Sequence, residues 1–417
     1  MTYSDLIPFF LQISAMLLVA LSFGHLMRRL KQPAVFGELI GGIVLGPTVF
    51  GIIAPSLYTQ LFSVSDTASI AREAVIHLGM LFFLFIAGLE VNLAHLSRHK
   101  RSVTLVSILG ILFPFALGIG SVKFLPNLWH QREAGSFWLL ALFIGMAFSI
   151  SALPVIARIL LDLDLIRKDL GQIIIASATI NDLIGWTLFV VILSNFKPTG
   201  RPERNLLFTI ILAVIFIALV LIIRRWVGGK FISLQRKFPK EPGLLLGITA
   251  LLILIAAAVC EGIGIHGFFG AFIIGVALER VFKRQSQAKE NISHFATSFF
   301  APIYFVSIGL KANFAVNFDM SLVALILIAS CAGKILGAGM GALFSGFSLR
   351  ESAAIGFGLN ARGAIEMILA SIALEYNLID ERIFVALVVM AMVTSLLSGP
   401  IMNRLLTAKA SRKRSKQ

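Results

Sequence analysis

An amide and a carboxylate, Asn181 and Asp182, stand side by side in an otherwise apolar run from Leu170 to Phe196. A carboxylate far from water can take up a proton or hold a small dehydrated cation, and each form excludes the other. Desolvation favours the protonated form and a nearby cation favours the ionised form, so we expect titration near neutral pH. If the site crosses a membrane only when occupied, its two ligands move in opposite directions. Asp182 is therefore the predicted ligand of a proton and of a transported Na⁺ or K⁺.

The residues around Asp182 refine this prediction. Ala178 and Gly185 share its helix face, and such small residues let a neighbouring helix approach closely. An aspartate at position 181 would carry a second proton, whereas Asn181 cannot titrate and offers only its amide. The pair therefore predicts one-for-one, electroneutral exchange.

The composition indicates a polytopic membrane protein. Of the 417 residues, 58% are hydrophobic and only 14% are charged, and the mean hydropathy is +0.93. The net charge of +15 lies in short clusters between apolar runs, which is typical of loops facing an anionic leaflet and not of a nucleic-acid groove. The two cysteines, Cys260 and Cys331, lack metal-binding or redox spacing. We expect neither enzymatic activity nor a cofactor, only transported Na⁺ or K⁺ and H⁺.

Apolar runs predict thirteen transmembrane helices, most of them long enough to cross a hydrocarbon core of about 30 Å. They cover residues 5–27, 34–53, 70–93, 102–122, 136–161, 169–196, 206–226, 243–260, 265–281, 293–310, 319–345, 350–375 and 381–404. Loops after odd-numbered spans and the tail hold 25 lysines and arginines, and the opposite side holds 8. The amino terminus is therefore predicted outside. Residues 1–404 form the membrane domain, and residues 405–417 form a basic cytoplasmic tail.

Three cations fall within predicted spans, where a charge is costly and normally marks a function. Arg158 lies near a span end, four residues from Asp162, so a local ion pair explains it. Arg362 either braces its own helix through Glu366 or serves the site. Lys334 has no acid within a helical turn, so its partner must come from another span.

The chain repeats itself. The segment FGELIGGIVL (residues 36–45) aligns on FGAFIIGVAL (269–278), and LFIAGLEVNL (84–93) aligns on FVSIGLKANF (305–314). The copies run in opposite directions through the predicted membrane. This pattern predicts inverted-topology repeats over about residues 34–196 and 265–404, with a substrate site where the halves meet.

Each half also contains a weak point in a helix. Ser149 and Ser151 precede Pro154, which cannot donate a backbone hydrogen bond, so carbonyls there are expected to face a cavity. In the other half, three glycines surround Asn360 and Arg362. Two interrupted helices in matching positions indicate a transport site, and the two serine hydroxyls are candidate cation ligands.

The chain resembles the monovalent cation:proton antiporter superfamily, especially the branch with Kef-type and Nap-type antiporters and plant cation/proton exchangers. The segments that carry this resemblance are QPAVFGELIGGIVLGPTVFG, GMLFFLFIAGLEVNL, SISALPVIARIL, INDLIGW, AGKILGA and GLNARGAIEMILA. It implies an all-α fold of thirteen transmembrane helices with inverted repeats and two broken, crossed helices. It also implies a six-helix core domain, a dimerisation domain, elevator-like alternation and a homodimer in the membrane. We expect that membrane to be the cell inner membrane.

The resemblance also implies roles for single residues. Asp182 matches the ion-binding aspartate of the superfamily, and Asn181 matches a position that is aspartate in electrogenic members. Lys334 matches the core lysine that pairs with that aspartate. Arg362 matches the basic residue at the second break. Glu38 matches the glutamate of the second span, and we expect it to be a gating or structural carboxylate on the cytoplasmic side.

Two other readings stay open at this point. A gated potassium channel would need a continuous carbonyl-lined filter, and no TVGYG-like stretch exists. A sodium-coupled symporter for an organic anion would need anion-binding groups, for which Arg362 is a lone candidate.

Overall fold

The structure is a computed structural model that describes residues 3–30, 32–62, 66–90, 99–129, 137–163, 165, 168–195, 242–263, 267–283 and 286–414. All secondary structure in these ranges is helical, as predicted. Eight stretches among the described residues are long and apolar enough to cross a membrane: Asp5–Arg29, Ala34–Ile53, Asp66–Glu90, Lys100–Phe124, Asp169–Phe189, Gln287–Leu310, Met320–Phe344 and Glu381–Leu406. The predicted span 206–226 lies outside the described residues, so the number of thirteen spans stays a prediction.

The helices have the following bounds in chain order. They are Tyr3–Arg29, Ala34–Leu45, Phe50–Ile53, Pro55–Phe62, Asp66–Glu90, Lys100–Phe124, Pro126–Trp129, Phe137–Ser149, Leu153–Asp162, Asp169–Asn195, Pro242–Ile263, Gly267–Lys283, Ser286–Phe295, Ala301–Leu310, Met320–Phe344, Leu349–Leu359, Ala364–Glu375 and Glu381–Arg414. A π-helical turn, Ala296–Phe300, joins two of them. We call Asp169–Asn195 the Asp182 helix, Met320–Phe344 the Lys334 helix and Glu381–Arg414 the last helix.

Some helix ends differ from the predicted spans for local reasons. The predicted span 34–53 stops being helical at Leu45, where Gly46 takes up extended backbone. Gly46 precedes a proline, which disfavours the helical conformation of the residue before it. The last helix continues to Arg414 and so runs into the segment predicted as a tail.

Contacts divide the described chain into two compact units. Unit 1 holds the described residues of Met1–Val91 and Gly200–Val316, and unit 2 holds those of Asn92–Thr199 and Asn317–Gln417. Each unit therefore takes helices from both predicted repeat halves.

Unit 1 contains the same helix contact twice. A Cβ atom at Gly42 would lie 2.2 Å from the carbonyl oxygen of Val306, and one at Gly275 would lie 2.2 Å from that of Phe85. The internal alignment matches Gly42 to Gly275 and Val306 to Phe85. The two close backbone approaches are thus equivalent positions of the two copies. This agreement supports a duplication.

Unit 2 is built around a close pair of helices, the Lys334 helix and Lys100–Phe124. Three glycines at a spacing of four, Gly333, Gly337 and Gly341, face the backbone of Lys100–Phe124. Cβ atoms at these positions would lie within 2.6 Å of its atoms. Small residues at this spacing let two membrane helices pack backbone against backbone.

Unit 2 also contains two broken helices. The first broken helix consists of Phe137–Ser149 and Leu153–Asp162, with a proline in the first turn of its second half. The second broken helix consists of Leu349–Leu359 and Ala364–Glu375. Both interruptions fall where the sequence predicted weak points.

Asp319 caps the Lys334 helix at its first turn. Its carboxylate accepts hydrogen bonds from the backbone N–H of Ser321 at 2.9 Å and of Leu322 at 3.1 Å, and it pairs with the Arg382 guanidinium. The Leu322 N–H, with those of Ser321 and Arg382, holds the pKa of Asp319 below its usual value against the opposing effect of burial.

We expect the stabilising effect of the Asp319 charge to depend on pH. Because the folded-state pKa is lowered, the stabilisation is present above the unfolded pKa of about 3.9 and disappears as the pH falls through the folded value. Asp319→Asn should therefore cost at most about 1 kcal/mol near neutral pH, since this pair is partly exposed. Thermal unfolding of both proteins from pH 7 to pH 3 checks this, and a difference that stays constant over that range would refute it.

Candidate functional site

Lys334 is fully buried, and its ammonium reaches three neutral acceptors. Nζ donates to the Gly110 carbonyl at 3.0 Å and to the Ser149 carbonyl. In the amide orientation that gives both Oδ1 and Nδ2 of Asn181 a hydrogen-bond partner, Oδ1 accepts from Lys334 Nζ at 2.9 Å. Nδ2 then donates to the Ser177 carbonyl at 3.1 Å. An ammonium has three N–H donors, so all three are engaged. The partners of Lys334 come from other helices, as the sequence required, but they are an amide and two carbonyls.

Arg362 is also fully buried and does more than brace its own helix. Nη1 lies 3.3 Å from Glu366 Oε1, which is the predicted pair. The same nitrogen donates to the Ala147 carbonyl, and Nη2 donates to that of Phe148 at 2.5 Å. Arg362 therefore links the second broken helix to the first.

The acceptors of Lys334 and Arg362 lie at one helix end. Ala147, Phe148 and Ser149 are the last three residues of Phe137–Ser149, so their carbonyls have no partner within that helix. This end also carries the negative pole of the helix dipole, which cations stabilise. The sequence argument placed these carbonyls facing a cavity. In the structure these carbonyls instead accept hydrogen bonds from the buried cations Lys334 and Arg362. A cation is the strongest hydrogen-bond donor in an interior of low dielectric constant.

The two interruptions are bonded to each other. The Ala152 N–H donates to the Ala361 carbonyl at 2.9 Å, and the Ser151 hydroxyl donates to the Leu359 carbonyl at 2.7 Å. Each broken helix thus supplies donors or acceptors that the other lacks. Polar groups that lack a helical partner at one interruption are therefore hydrogen-bonded to groups at the other interruption.

Ser149 uses its hydroxyl proton for backbone carbonyls. Its single O–H proton is shared between two carbonyl oxygens, those of Gly145 at 2.8 Å and Ile111 at 3.0 Å from Oγ. Because Ser149 and Ser151 both act as donors, the lone pairs of their hydroxyl oxygens can still accept a hydrogen bond or coordinate a cation.

Asp182 lies near the middle of its helix with only 3% of its surface exposed. Its charge acts on Lys334. One turn on, Gly185 packs on the first interruption, since a Cβ atom there would lie 2.7 Å from Ile150 Cγ1. Asp182, Asn181, Ser149 and Lys334 are thus gathered at the first interruption.

The remaining predicted residues lie at the junction of the two broken helices, in unit 1, or outside the described residues. Ser151, Arg362 and Glu366 belong to the junction of the two broken helices. Glu38 is buried in unit 1, where the charge of Arg28 acts on it, so it is not part of this cluster. Arg158 falls in Leu153–Asp162, but its side chain lies outside the described part of the chain.

Two further residues at the second interruption, Ser395 and Cys331, were not predicted from the sequence. The Ser395 hydroxyl donates to the Arg362 carbonyl, and Asn360 Nδ2 donates to Cys331 Sγ at 3.2 Å. Ser395 could have been found as a polar residue in an apolar span, the signal that revealed Asp182. Cys331 gave no such signal.

Comparison with known proteins identifies the family of the chain. The family model "Sodium/hydrogen exchanger, transmembrane" matches residues 13–408. Cation/H(+) antiporter 17 of Arabidopsis thaliana is 32% identical over 397 residues, which are 94% of this chain and 47% of that protein. This chain therefore spans about half the length of the plant relative.

Two other proteins match over nearly their full length. Na(+)/H(+) antiporter NhaS4 of Synechocystis is 30% identical, with 93% of this chain and 94% of the relative covered. The structure of the sodium proton antiporter MjNhaP1 from Methanocaldococcus jannaschii superimposes with a TM-score of 0.68 at 17% identity, covering 96% of this chain and 98% of that one. That likeness shows a common fold. Since the family model spans almost the entire sequence, the chain belongs to the family of transmembrane sodium/hydrogen exchangers.

Proposed function

We propose that this protein exchanges Na⁺ or K⁺ for H⁺ across a membrane, and that Asp182 binds the proton and the cation alternately. One observation carries the proposal: a buried carboxylate lies one turn before Gly185, which packs on the first interruption, and its amide neighbour Asn181 is held by a buried lysine. The relatives named above are a cation/H⁺ antiporter and a Na⁺/H⁺ antiporter. Their names favour exchange over the channel and symporter readings.

The stoichiometry that we propose is one for one. Lys334 binds an amide and two carbonyls, and we propose that its ammonium keeps its proton through the cycle. Asp182 alone then changes state, and either a proton or a monovalent cation neutralises its single charge. Both occupied forms carry the same charge across the membrane, which makes the exchange electroneutral.

Ser149 and Ser151 are proposed as further cation ligands through their hydroxyl lone pairs. Asn181 Oδ1 is turned toward Lys334 at 2.9 Å. We therefore assign Asn181 to positioning the lysine, and Asp182 with the serines to the ion. Arg362 links the two broken helices, Glu366 braces Arg362, and Glu38 serves as a gating or structural carboxylate in unit 1.

We extend the proposal to the architecture of the whole protein. It comprises thirteen membrane spans with crossed broken helices, an outside amino terminus and a cytoplasmic basic tail, and it works by alternating access as a homodimer in the inner membrane. The 25-to-8 distribution of cations and the duplicated contacts of unit 1 support this arrangement.

We expect Asn181→Asp to make the exchange voltage-dependent. The new carboxylate would meet the Lys334 ammonium at the 2.9 Å position of the amide oxygen and form an ion pair that a second proton can break. In proteoliposomes with an internal pH dye, wild-type exchange started by Na⁺ or K⁺ should not respond to an imposed inside-negative potential. The variant should be accelerated.

The same assay separates the alternatives. A channel would collapse the pH gradient only with a protonophore, and a symporter would require an organic anion. Acceleration of the wild type by voltage would refute the one-for-one stoichiometry. Failure of every alkali cation to collapse the gradient would refute antiport itself.

A further inference from the structure

A cavity of about 250 Å³ opens in unit 1, within a different set of helices from the Asp182 cluster. Its walls come from the short helix Pro55–Phe62, the start of Asp66–Glu90 and the end of Ala301–Leu310. Side chains that line it include Tyr58, Phe62, Arg72, Glu73, Ser307 and Lys311. Nothing in the proposed exchange cycle uses these residues.

Arg72 is fixed in the wall of this cavity. Its Nη1 donates to Gln12 Oε1 at 3.2 Å, and its guanidinium lies 5.7 Å from the ring centre of Phe62. Its Nη2 is 3.9 Å from Glu73 Oε1, which is beyond hydrogen-bond distance. A guanidinium has five N–H donors in a rigid fork that matches phosphate oxygens. Arg72 can therefore present donors to an anion in the cavity while Gln12 and Phe62 hold it in place.

The other polar groups of the cavity leave it net positive. Lys311 follows directly on the carboxyl end of Ala301–Leu310, so two cations and one carboxylate, that of Glu73, line the cavity. Burial raises the pKa of Tyr58, with an opposing effect from Arg72, so the phenol stays neutral and can donate a hydrogen bond. A ligand with one negative charge would balance this lining.

The predicted topology puts this cavity near the outer lipid headgroups. Arg72 and Lys311 belong to the eight lysines and arginines on the predicted outer side, where cations are scarce, and both line one cavity. Large apolar side chains nearby in sequence are exposed, namely Ile52 at 59%, Ile53 at 77% and Ile70 at 70%. A ligand with a phosphate head and apolar chains fits this combination.

We propose that this cavity binds the headgroup of an anionic phospholipid. The phosphate lies between Arg72 and Lys311, the Tyr58 hydroxyl donates to it, and the acyl chains follow the exposed isoleucines. This site is separate from ion exchange, and Asp182 variants should leave it intact.

Native mass spectrometry of the purified full chain tests the proposal. The probes are phosphatidylglycerol, phosphatidylcholine, which carries the same phosphate without net charge, and inorganic phosphate. We expect phosphatidylglycerol to bind more tightly than phosphatidylcholine. Arg72→Gln and Lys311→Gln should each weaken it about fivefold, as expected for one cation at a lipid headgroup. Arg72→Lys keeps the charge but not the fork of donors, so it should lose less affinity than Arg72→Gln, which separates charge loss from misfolding.

Lys123→Gln is the matched control. Lys123 also lies on the predicted outer side and over an aromatic ring, 5.8 Å from the centre of Phe124, but it does not line the cavity. This variant should bind phosphatidylglycerol like the wild type. Equal binding of the two lipids, or equal losses in all three glutamine variants, would overturn the proposal. Displacement of the lipid by millimolar inorganic phosphate would assign the site to free phosphate and overturn the lipid assignment.

Discussion

Asp182→Asn is expected to reduce cation-driven proton exchange to the background of empty liposomes. Asparagine has nearly the shape of aspartate, so the packing of Gly185 on Ile150 should survive. It cannot bind a proton or offer a full negative charge to a cation, so both half-reactions fail together. Dye dequenching in proteoliposomes, with each alkali cation added in turn, measures the loss.

A matched control lies on the same helix. Asp169→Asn makes the same chemical change at the start of the Asp182 helix, where the carboxylate is 68% exposed and pairs with His99 at 3.2 Å. Exposed pairs of this kind contribute little to stability, so exchange should persist. Cation-dependent exchange by Asp182→Asn at the rate of the control would rule out the mechanism proposed here.

Gly337→Ala is expected to lower the stability of the protein markedly. The added Cβ would lie 2.3 Å from the Leu109 carbonyl oxygen and 2.8 Å from Phe113 Cβ. Two packed helices would have to separate, at a cost of about 1–3 kcal/mol. The separation would also move Lys334, one turn earlier, away from the Gly110 carbonyl. Lower thermal stability and slower exchange should therefore appear together.

Gly120→Ala provides the comparison for this variant. Gly120 lies in Lys100–Phe124, the helix that receives Gly337, and a Cβ atom there would meet only a Phe124 ring atom, at 3.9 Å. This substitution should leave the unfolding temperature unchanged or raise it, because alanine favours helix over glycine. Equal unfolding temperatures for the two alanine variants would show that the glycine contact is not tight.

Much of the site could be predicted from local sequence. The apolar run around Asp182 indicated a helix, and proline and glycine indicated both interruptions. The lack of an acid within a turn of Lys334 required a partner from elsewhere. Each of these inferences needs only the spacing of residues within one segment.

The identity of the partners could not be predicted in this way. Lys334 bonds to a residue 185 positions away, and Arg362 bonds to one 215 positions away. Their acceptors are backbone carbonyls, which every residue has, so the sequence does not distinguish them. The choice between Glu366 and the Ala147 carbonyl as the main partner of Arg362 depends on how the helices pack. Helical periodicity contains no information about that packing.

The junction of the two broken helices has a consequence for biosynthesis. Translation proceeds from the amino terminus, so the carbonyls of Ala147 and Phe148 enter the membrane well before Arg362 is made. Until then these backbone groups lack their final donors in an environment that penalises such a deficit. The first broken helix therefore reaches its final form only after the carboxyl-terminal half has been inserted, and a ribosome stalled before residue 362 would leave an intermediate that requires water or a membrane chaperone at this point.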